Sequence, residues 1–239
     1  MERPYASGSG DGAITADGCA VELYRQLSAG GEIDLVKAFA PAGGSILDLG
    51  AGAGRLANPL SAAGFAVTAV DQSAEMLAEI RGGAARVIST IEELDLGAAF
   101  DVVLLASYLL NTPAPQSRAG LLAPCARNMH RDGAALIQVR GPGILRDLSG
   151  FERETGGIRD WVEAYHRDGP VVTMTMRTEC EGRRWVQTFT HRYLEEAELR
   201  RELIGAGLEF DRWLDEPPEW FLARLSPSGR SQSSTATAP

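Results

Sequence analysis

Three alternating glycines and one aspartate are the residues of this chain whose types and spacing best fit ligand chemistry. Gly50, Gly52 and Gly54 follow an apolar run that ends at Leu49, and alanines separate them. Because this stretch has little side-chain bulk, its main chain can lie directly against a ligand. Asp71 ends the next apolar run roughly 20 residues later, where an acidic side chain accepts hydrogen bonds from both hydroxyls of a ribose. The pattern predicts a strand, a tight loop and a helix that form part of a nucleotide-type site.

The spacing within the loop separates two kinds of nucleotide-binding motif. A dinucleotide fingerprint needs G-x-G-x-x-G, but the sixth position counted from Gly50 is Arg55. The stretch from Asp48 to Gly54 instead reads D-x-G-x-G-x-G. In this form it resembles the first motif of the class I S-adenosylmethionine-dependent methyltransferases, and the resemblance extends from Ser45 to Val139. It implies S-adenosyl-L-methionine as the cofactor and methyl transfer as the activity.

The resemblance also implies which residues contact the cofactor. Gly50 and Gly52 match main-chain positions beside its methionine part, and Asp48 matches the acid that orients its amino group. Tyr24 and Met76 fit the cofactor site and the hydrophobic core equally well. The implied cofactor-binding residues are Tyr24, Asp48, Gly50, Ala51, Gly52, Asp71, Gln72, Met76, Thr90, Ile91, Ala106 and Ser107.

Candidate acceptor residues follow from the rule that ligands of open α/β sheets bind beyond the carboxyl ends of the strands. Arg140 ends the fifth predicted strand and could clamp an acidic group of the acceptor or pair with a nearby carboxylate of the protein. A base is needed only if the acceptor binds in its protonated form. Histidines suit that role, although packing or surface exposure explains them as well. The candidate catalytic residues are His191, His166 and Tyr108, and the candidate substrate-binding residues are Asn111, Arg140, Trp161, Tyr165, Arg177 and Tyr193.

The elements that must position these residues alternate between strand and helix. This order predicts a doubly wound, Rossmann-like α/β fold with a mostly parallel sheet and helices on both faces. After strand five, two segments alternate apolar or β-branched residues with polar ones around Glu181-Gly182, which predicts an inserted antiparallel hairpin. The predicted strands are Ser45–Leu49, Ala66–Val70, Arg86–Ser89, Phe100–Ser107 and Ala134–Val139, and those of the hairpin are Val171–Glu179 and Arg184–Tyr193.

We expect one domain, residues 15–226, in which residues 141–193 form an insertion that covers the substrate and contains the hairpin. The segment from Gly141 to Trp161 is charged and reads as irregular, and Arg131 to Gly133 read as a turn. Residues 1–14 and 227–239 are rich in small and polar side chains, and we expect both to be disordered.

Composition narrows the partners. A net charge of -9 with dispersed basic residues argues against nucleic acid, and no run approaches the roughly 18 apolar residues that span a membrane. The three cysteines lie far apart and match neither a zinc site nor a disulfide framework, so we expect no metal and a cytoplasmic location. The exposed edges of the hairpin could pair in a homodimer.

The sequence therefore predicts methyl transfer from S-adenosylmethionine to a nitrogen or oxygen of a small polar metabolite. Two alternatives stay open. One is a protein that binds S-adenosylmethionine without methyl transfer, as a regulatory or partner subunit. The other is a nicotinamide-dependent enzyme with a variant glycine loop.

Overall fold

The computed structural model describes residues 5–140 and 148–227. In chain order, the strands are β1 (Ala6–Gly10), β2 (Ser45–Leu49), β3 (Ala66–Asp71), β4 (Ala85–Ile88), β5 (Phe100–Leu105), β6 (Met129–Gln138), β7 (Glu152–Thr155), β8 (Ile158–Asp168), β9 (Val171–Cys180), β10 (Arg183–Arg192), β11 (Leu208–Trp213) and β12 (Trp220–Leu225). The helices are α1 (Val21–Tyr24), α2 (Glu32–Lys37), α3 (Ala57–Ala62), α4 (Ala74–Ala78), α5 (Pro115–Arg127) and α6 (Glu196–Gly205).

The main sheet has seven strands in the order β11-β12-β6-β5-β2-β3-β4. All its pairs are parallel except those made by β12, which runs antiparallel to both of its neighbours. Its central strand β5 is apolar and buried from Val102 to Leu105, as a parallel strand covered on both faces should be. The predicted Rossmann-like, mostly parallel sheet is confirmed.

Helices cover both faces of the main sheet. Because side chains alternate along a strand, Leu47 and Leu49 of β2 join one hydrophobic cluster, and Ile46 joins the other. The first cluster includes residues of α5 and α6, and the second includes residues of α2, α3 and α4. No helix in the described ranges has the length and apolar character needed to cross a membrane.

The second sheet has five antiparallel strands in the order β1-β10-β9-β8-β7. The segments predicted to form a separate hairpin are β9 and β10, which lie inside this sheet with β8 and β1 as their outer neighbours. Glu181 and Gly182 connect them with φ angles of 50° and 78°, as a two-residue hairpin turn requires. The inserted element is therefore larger than predicted, because β7 and β8 occupy much of the segment expected to be irregular.

The N-terminal segment corrects the expectation of disorder for residues 1–14. Strand β1 pairs with β10 from Ala6 opposite Phe189 to Gly10 opposite Trp185. A Cβ on Gly8 would lie 2.0 Å from the carbonyl oxygen of Gly18, so two stretches of main chain touch there. Main-chain hydrogen bonds form this strand, which is why its small polar side chains did not predict it. Residues 1–4 and 228–239, with most of the predicted disordered tail, lie outside the described residues, as do residues 141–147 of the insertion.

The turn predicted at Arg131 to Gly133 coincides with an irregularity inside β6. These residues belong to β6, which begins at Met129, and Arg224 of the neighbouring β12 donates hydrogen bonds to the carbonyl oxygens of Asp132 and Gly133. On β5, Phe100 pairs with Met129 and Val102 pairs with Ala134, so residues 130–133 form a bulge within β6 where the local turn preference of Asp-Gly is kept.

Candidate active site

A cavity of about 590 Å³ is lined by residues of both sheets. The main sheet contributes the loop after β2 and the residues that follow β3, β5 and β6, all at the carboxyl ends of parallel strands. The antiparallel sheet contributes side chains of β8, β9 and β10, and the segment before α2 lines the cavity as well. The predicted edge of the main sheet thus opens into a space that the second sheet covers.

The glycine loop has a main chain that only glycine adopts without strain. Gly50, Gly52 and Gly54 have φ angles of 74°, 53° and 89°. The N–H groups of Gly50 and Ala51 both donate to the carbonyl oxygen of Val70, at 2.9 Å each. The loop is therefore fixed against the end of β3, and its bare main chain lines the cavity.

Asp71 joins the glycine loop to helix α4. Its Oδ2 accepts a hydrogen bond from Gly52 N–H, and its Oδ1 accepts one from Ser73 N–H, each at 2.9 Å. Ser73 caps α4, since its hydroxyl oxygen accepts a hydrogen bond from the N–H of Met76 at 3.1 Å. Asp71 also lines the cavity, and a carboxylate oxygen can accept more than one hydrogen bond.

Asp48 is buried in β2, just before the glycine loop, and does not itself line the cavity. Within the described residues, its Oδ2 has no hydrogen-bond partner. Burial raises the pKa of Asp48 to about 7, with the Arg55 charge lowering it and the Asp71 charge raising it further. Because an unpaired buried carboxylate is unfavourable, a cationic group placed in the cavity near the glycine loop, such as the amino group of S-adenosylmethionine, would stabilise its charge.

Tyr24 connects three parts of the cavity wall. Its ring lies near the glycine loop, with Cδ1 3.9 Å from the position that a Cβ on Gly52 would take. Cys19 and Gln187 lie beside its hydroxyl group and influence its pKa, and burial holds the pKa of Tyr24 well above its usual range. Tyr24 therefore lines the cavity and also packs in a small hydrophobic cluster with Met76. Both residues are thus placed to contact a ligand and to contribute to core packing.

Most of the other predicted cofactor residues also reach the cavity. The exception besides Asp48 is Ala106, which is buried and does not line it. Thr90 accepts a hydrogen bond from Glu93 N–H at 3.3 Å and so caps a turn at the cavity rim. The predicted cofactor residues Gln72, Ile91 and Ser107 line the cavity as well.

Tyr108 is fixed by its main chain and by both ends of its side chain. Ser107 and Tyr108 both have positive φ angles, 58° and 57°, which residues other than glycine seldom adopt outside functional sites. The Tyr108 hydroxyl donates to Glu219 Oε2 at 2.9 Å, and burial raises its pKa to about 12. The guanidinium of Arg140 lies 4.2 Å from the ring centroid, a cation–π contact. Tyr108 is thus a support for Arg140 and a poor proton acceptor.

His191 reaches the cavity from β10. Its ring lies 4.7 Å from that of Phe189, and its Nδ1 is buried with no hydrogen-bond partner in the described residues. Burial lowers the pKa of His191 to about 3, and the Arg140 charge lowers it further. The imidazole is therefore neutral at physiological pH.

Asn111 does not line the cavity, contrary to its predicted role in binding substrate. It is fully buried, and its amide is used by the main chain: Oδ1 accepts from Arg140 N–H at 2.8 Å. Its Nδ2 donates to the carbonyl oxygens of Arg140 and Arg192, at 3.2 and 2.8 Å. Asn111 therefore joins the end of β6 to the end of β10.

Five further residues with predicted catalytic or substrate-binding roles do not line the cavity: Trp161, Tyr165, His166, Arg177 and Tyr193. Arg177 faces Trp161 across the β8–β9 pair and binds Glu163 at 2.7 Å, on the face opposite Met176 and Thr178. Alternation along the strands explains this placement. A register shift between Val162 and Ala164 likewise leaves His166 exposed. Tyr165 and Tyr193 pack in a separate hydrophobic cluster.

The inner face of the antiparallel sheet carries cavity residues that were not predicted from the sequence. Trp185, Gln187 and Phe189 share the parity of His191 along β10 and all line the cavity, so the period-two rule applied from His191 finds them. Asp160 and Arg153 also line it, as an ion pair of 2.6 Å that no short motif in the sequence indicates. Nowhere in residues 5–140 and 148–227 do three or more histidine, cysteine or acidic side chains group closely enough to hold a metal.

Comparisons with known proteins agree with this geometry. Residues 47–137 match the protein family described as a methyltransferase domain. A ubiquinone biosynthesis O-methyltransferase from Paramagnetospirillum magneticum is 38% identical over 76 residues, which are 29% of this chain. That match spans 30% of the relative's own length.

Solved structures share the fold over most of the chain. A sugar N-methyltransferase from a Streptoalloteichus species superposes with a TM-score of 0.67 at 19% identity, covering 91% of this chain and 98% of that one. A methyltransferase from Streptomyces caelestis gives a TM-score of 0.67 at 22% identity over 81% and 93%. An amino pentose methyltransferase from Micromonospora echinaspora, solved with S-adenosylmethionine bound, gives 0.66 at 20% identity over 87% and 93%.

The fold is the α/β Rossmann-like fold of methyltransferases. The match at residues 47–137 places the methyltransferase domain on the strands that carry the glycine loop and Asp71. Residues 47–137 of the chain therefore carry a methyltransferase domain, and S-adenosyl-L-methionine is its cofactor.

Proposed function

We propose that the protein transfers the methyl group of S-adenosylmethionine to a nitrogen or oxygen of a small polar metabolite. The observation that carries this proposal is the shared cavity, because one continuous space is lined by the glycine loop and by side chains suited to a second ligand. A lined space beside the loop favours methyl transfer over cofactor binding alone. A volume of about 590 Å³ suits small molecules.

The cofactor wall, as we call residues 50–55 with Asp71 and Met76, would hold the cofactor mainly through main chain. Gly50 and Gly52 lie against its methionine part, and Asp71 accepts hydrogen bonds from the ribose hydroxyls. Asp48 offers the charge that its amino group requires, since a nearby ammonium favours the ionised carboxylate. When bound, S-adenosylmethionine supplies both the methyl group and the leaving group.

The acceptor wall consists of Tyr108, Arg140 and the cavity-facing side chains of β8 to β10. Its main task is to orient the acceptor atom in line with the methyl carbon and to exclude water. Of the predicted bases that line the cavity, His191 is a neutral imidazole whose lowered pKa makes it a weak base, and the Tyr108 hydroxyl is engaged by Glu219. Residues 148–193 would cover this side of the substrate.

A small acceptor is also consistent with the fold neighbours, two of which are named as a sugar N-methyltransferase and an amino pentose methyltransferase. Those acceptors belong to those proteins, and the partial relative is named as an O-methyltransferase. We further propose a cytoplasmic location, supported by three free cysteines.

The test is calorimetric titration of the full-length protein with S-adenosylmethionine, followed by a screen for transfer of a labelled methyl group to metabolite pools. We expect binding of the cofactor, and labelling of a small polar compound that disappears in Asp71→Ala. NADH serves as the control ligand and should not bind. Cofactor binding without labelling of any small molecule would contradict the proposal.

A further inference from the structure

Two polar atoms in the wall of the cavity are buried without a hydrogen-bond partner in the described part of the chain. They are Arg140 Nε, at the end of β6, and His191 Nδ1, in β10. Leaving such an atom unpaired is unfavourable, because it loses its hydrogen bonds to water without gaining others. Because each sheet contributes one of these two residues to the lining of one cavity, a group of the ligand is the simplest partner for both.

Arg140 is held as a fixed part of the site. The Asn111 side chain binds both its N–H and its carbonyl group, and the Tyr108 ring lies under its guanidinium. Tyr108 is itself anchored to Glu219. Among the described residues, Arg140 forms no ion pair, so its charge is available to a ligand, unlike that of Arg153, which Asp160 neutralises. The alternative role predicted for Arg140, an ion pair with a carboxylate of the protein, is therefore not found among the described residues.

The neutral imidazole of His191 complements this cation. Burial lowers its pKa to about 3, with Arg140 as the second cause, so His191 adds no charge and offers one N–H group and one lone pair. Contact with Phe189 fixes its ring. A single positive charge beside a neutral donor favours one negative charge on the ligand, and it disfavours an ammonium.

We propose that Arg140 and His191 bind an oxyanion of the methyl acceptor, a carboxylate or an ionised phenol or enol, through hydrogen bonds donated by Arg140 Nε–H and His191 Nδ1–H. The inference rests on the proposed methyl transfer and narrows its acceptor to acidic metabolites. It also assigns the tautomer of His191, with the proton on Nδ1.

The experiment titrates the full-length protein with benzoate, the neutral benzamide and the cationic benzylammonium, with and without saturating S-adenosylhomocysteine. We expect benzoate to bind at least 10-fold more tightly than either other probe. Parallel titration with 4-nitrophenolate distinguishes the two sources of the oxyanion, since the tighter of the two anions identifies the class. Equal affinity for benzoate and benzamide would overturn the proposal.

Variants locate the anion. Arg140→Met and His191→Phe should each remove the preference for benzoate, and Arg140→Lys, which keeps the charge but not Nε–H, should lose part of it. Arg177→Met is the matched control, because Arg177 lies on the outer face and pairs with Glu163. It should keep the full preference, and thermal unfolding verifies that each variant is folded.

The affinity for S-adenosylmethionine separates this inference from the function it rests on. Each variant should bind the cofactor within twofold of the wild type. A large loss in Arg140→Met would instead mean that Arg140 binds the cofactor's own carboxylate, and the proposal would fail while cofactor binding stood. If the wild type binds benzoate selectively but no S-adenosylmethionine, the proposed function fails and the anion site stands.

Discussion

The cofactor wall and the acceptor wall meet in one cavity but are built differently. The cofactor wall presents main chain, held by hydrogen bonds from Gly50, Ala51 and Gly52 to Val70 and Asp71. The acceptor wall presents side chains whose positions depend on the pairing of distant strands, as His191 depends on β9 and β10. A main-chain site needs a short motif, whereas a side-chain site needs a correct register. This difference explains why the cofactor is easier to predict from the sequence than the methyl acceptor.

The strongest test of the cofactor wall is Asp71→Ala. The change removes two charge-assisted hydrogen bonds that hold the loop and α4, together with the proposed ribose contacts. With ~1.5–3 kcal/mol for each such bond, we expect the affinity for S-adenosylmethionine to fall roughly 100-fold or more by calorimetry. Asp34→Ala, at an exposed carboxylate of α2, is the control and should leave the affinity unchanged.

The corresponding test between the two sheets is Asn111→Leu. Three buried hydrogen bonds are lost, so the free energy of unfolding should fall by ~2–4 kcal/mol in urea denaturation. Benzoate affinity should fall as well, because Arg140 is no longer held, while cofactor affinity changes little. As a comparison, Thr173→Val removes one side-chain hydrogen bond, between Thr173 and Thr190. It should lower the free energy of unfolding by less than about 1 kcal/mol, as expected for a single neutral hydrogen bond. Equal effects of the two changes would contradict the account.

Asp48→Asn should affect stability and binding in opposite directions. The pKa of Asp48 is raised from 3.8 to about 7, so ionisation of the buried group destabilises the folded protein as pH rises through this range. Without added cofactor, the variant should therefore exceed the wild type in stability by ~1–3 kcal/mol at pH 8 and by nothing below pH 3.8. Thermal unfolding at the two pH values measures this.

Cofactor binding gives the second readout for the same variant. Asp48→Asn should bind S-adenosylmethionine about 10-fold more weakly at pH 8, since a neutral amide lacks the charge that attracts an ammonium. In the wild type, affinity should decrease as pH falls below about 7, where Asp48 takes up its proton. A variant that is both less stable and unchanged in binding would refute the role of Asp48.

The smallest expected effect is that of His166→Ala. His166 is exposed on β8 and does not line the cavity, in contrast to His191. Benzoate affinity and the unfolding midpoint should stay within experimental error of the wild type. A loss comparable to that of His191→Phe would show that the β8 register places His166 differently.

The sequence predicts the main sheet and the cofactor wall well, because both depend on local patterns. Gly50, Gly52 and Asp71 lie within one strand–loop–helix–strand unit, and apolar runs define the strands that carry them. Tertiary pairing explains the main error, since β1 consists of small residues that main-chain hydrogen bonds join to β10.

The acceptor side was only partly predictable for the same reason. Arg140 could be named because it follows an apolar predicted strand. His191 could be named because it lies near the end of a segment with clear alternation. Trp161 and Arg177 were misplaced because inside and outside cannot be assigned to an antiparallel strand until its partners are known. Asn111 reads as an exposed loop amide, and only the fold reveals that it binds two main-chain segments.

The most direct test of the account is a crystal structure of the protein with S-adenosylhomocysteine and benzoate. We predict the cofactor on the glycine loop, its ribose hydroxyls on Asp71, and its sulfur facing the space between Tyr108, Arg140 and His191, with benzoate on the last two. A cofactor bound elsewhere, or a sulfur atom directed away from that space, would contradict the central claim that the two walls serve one reaction.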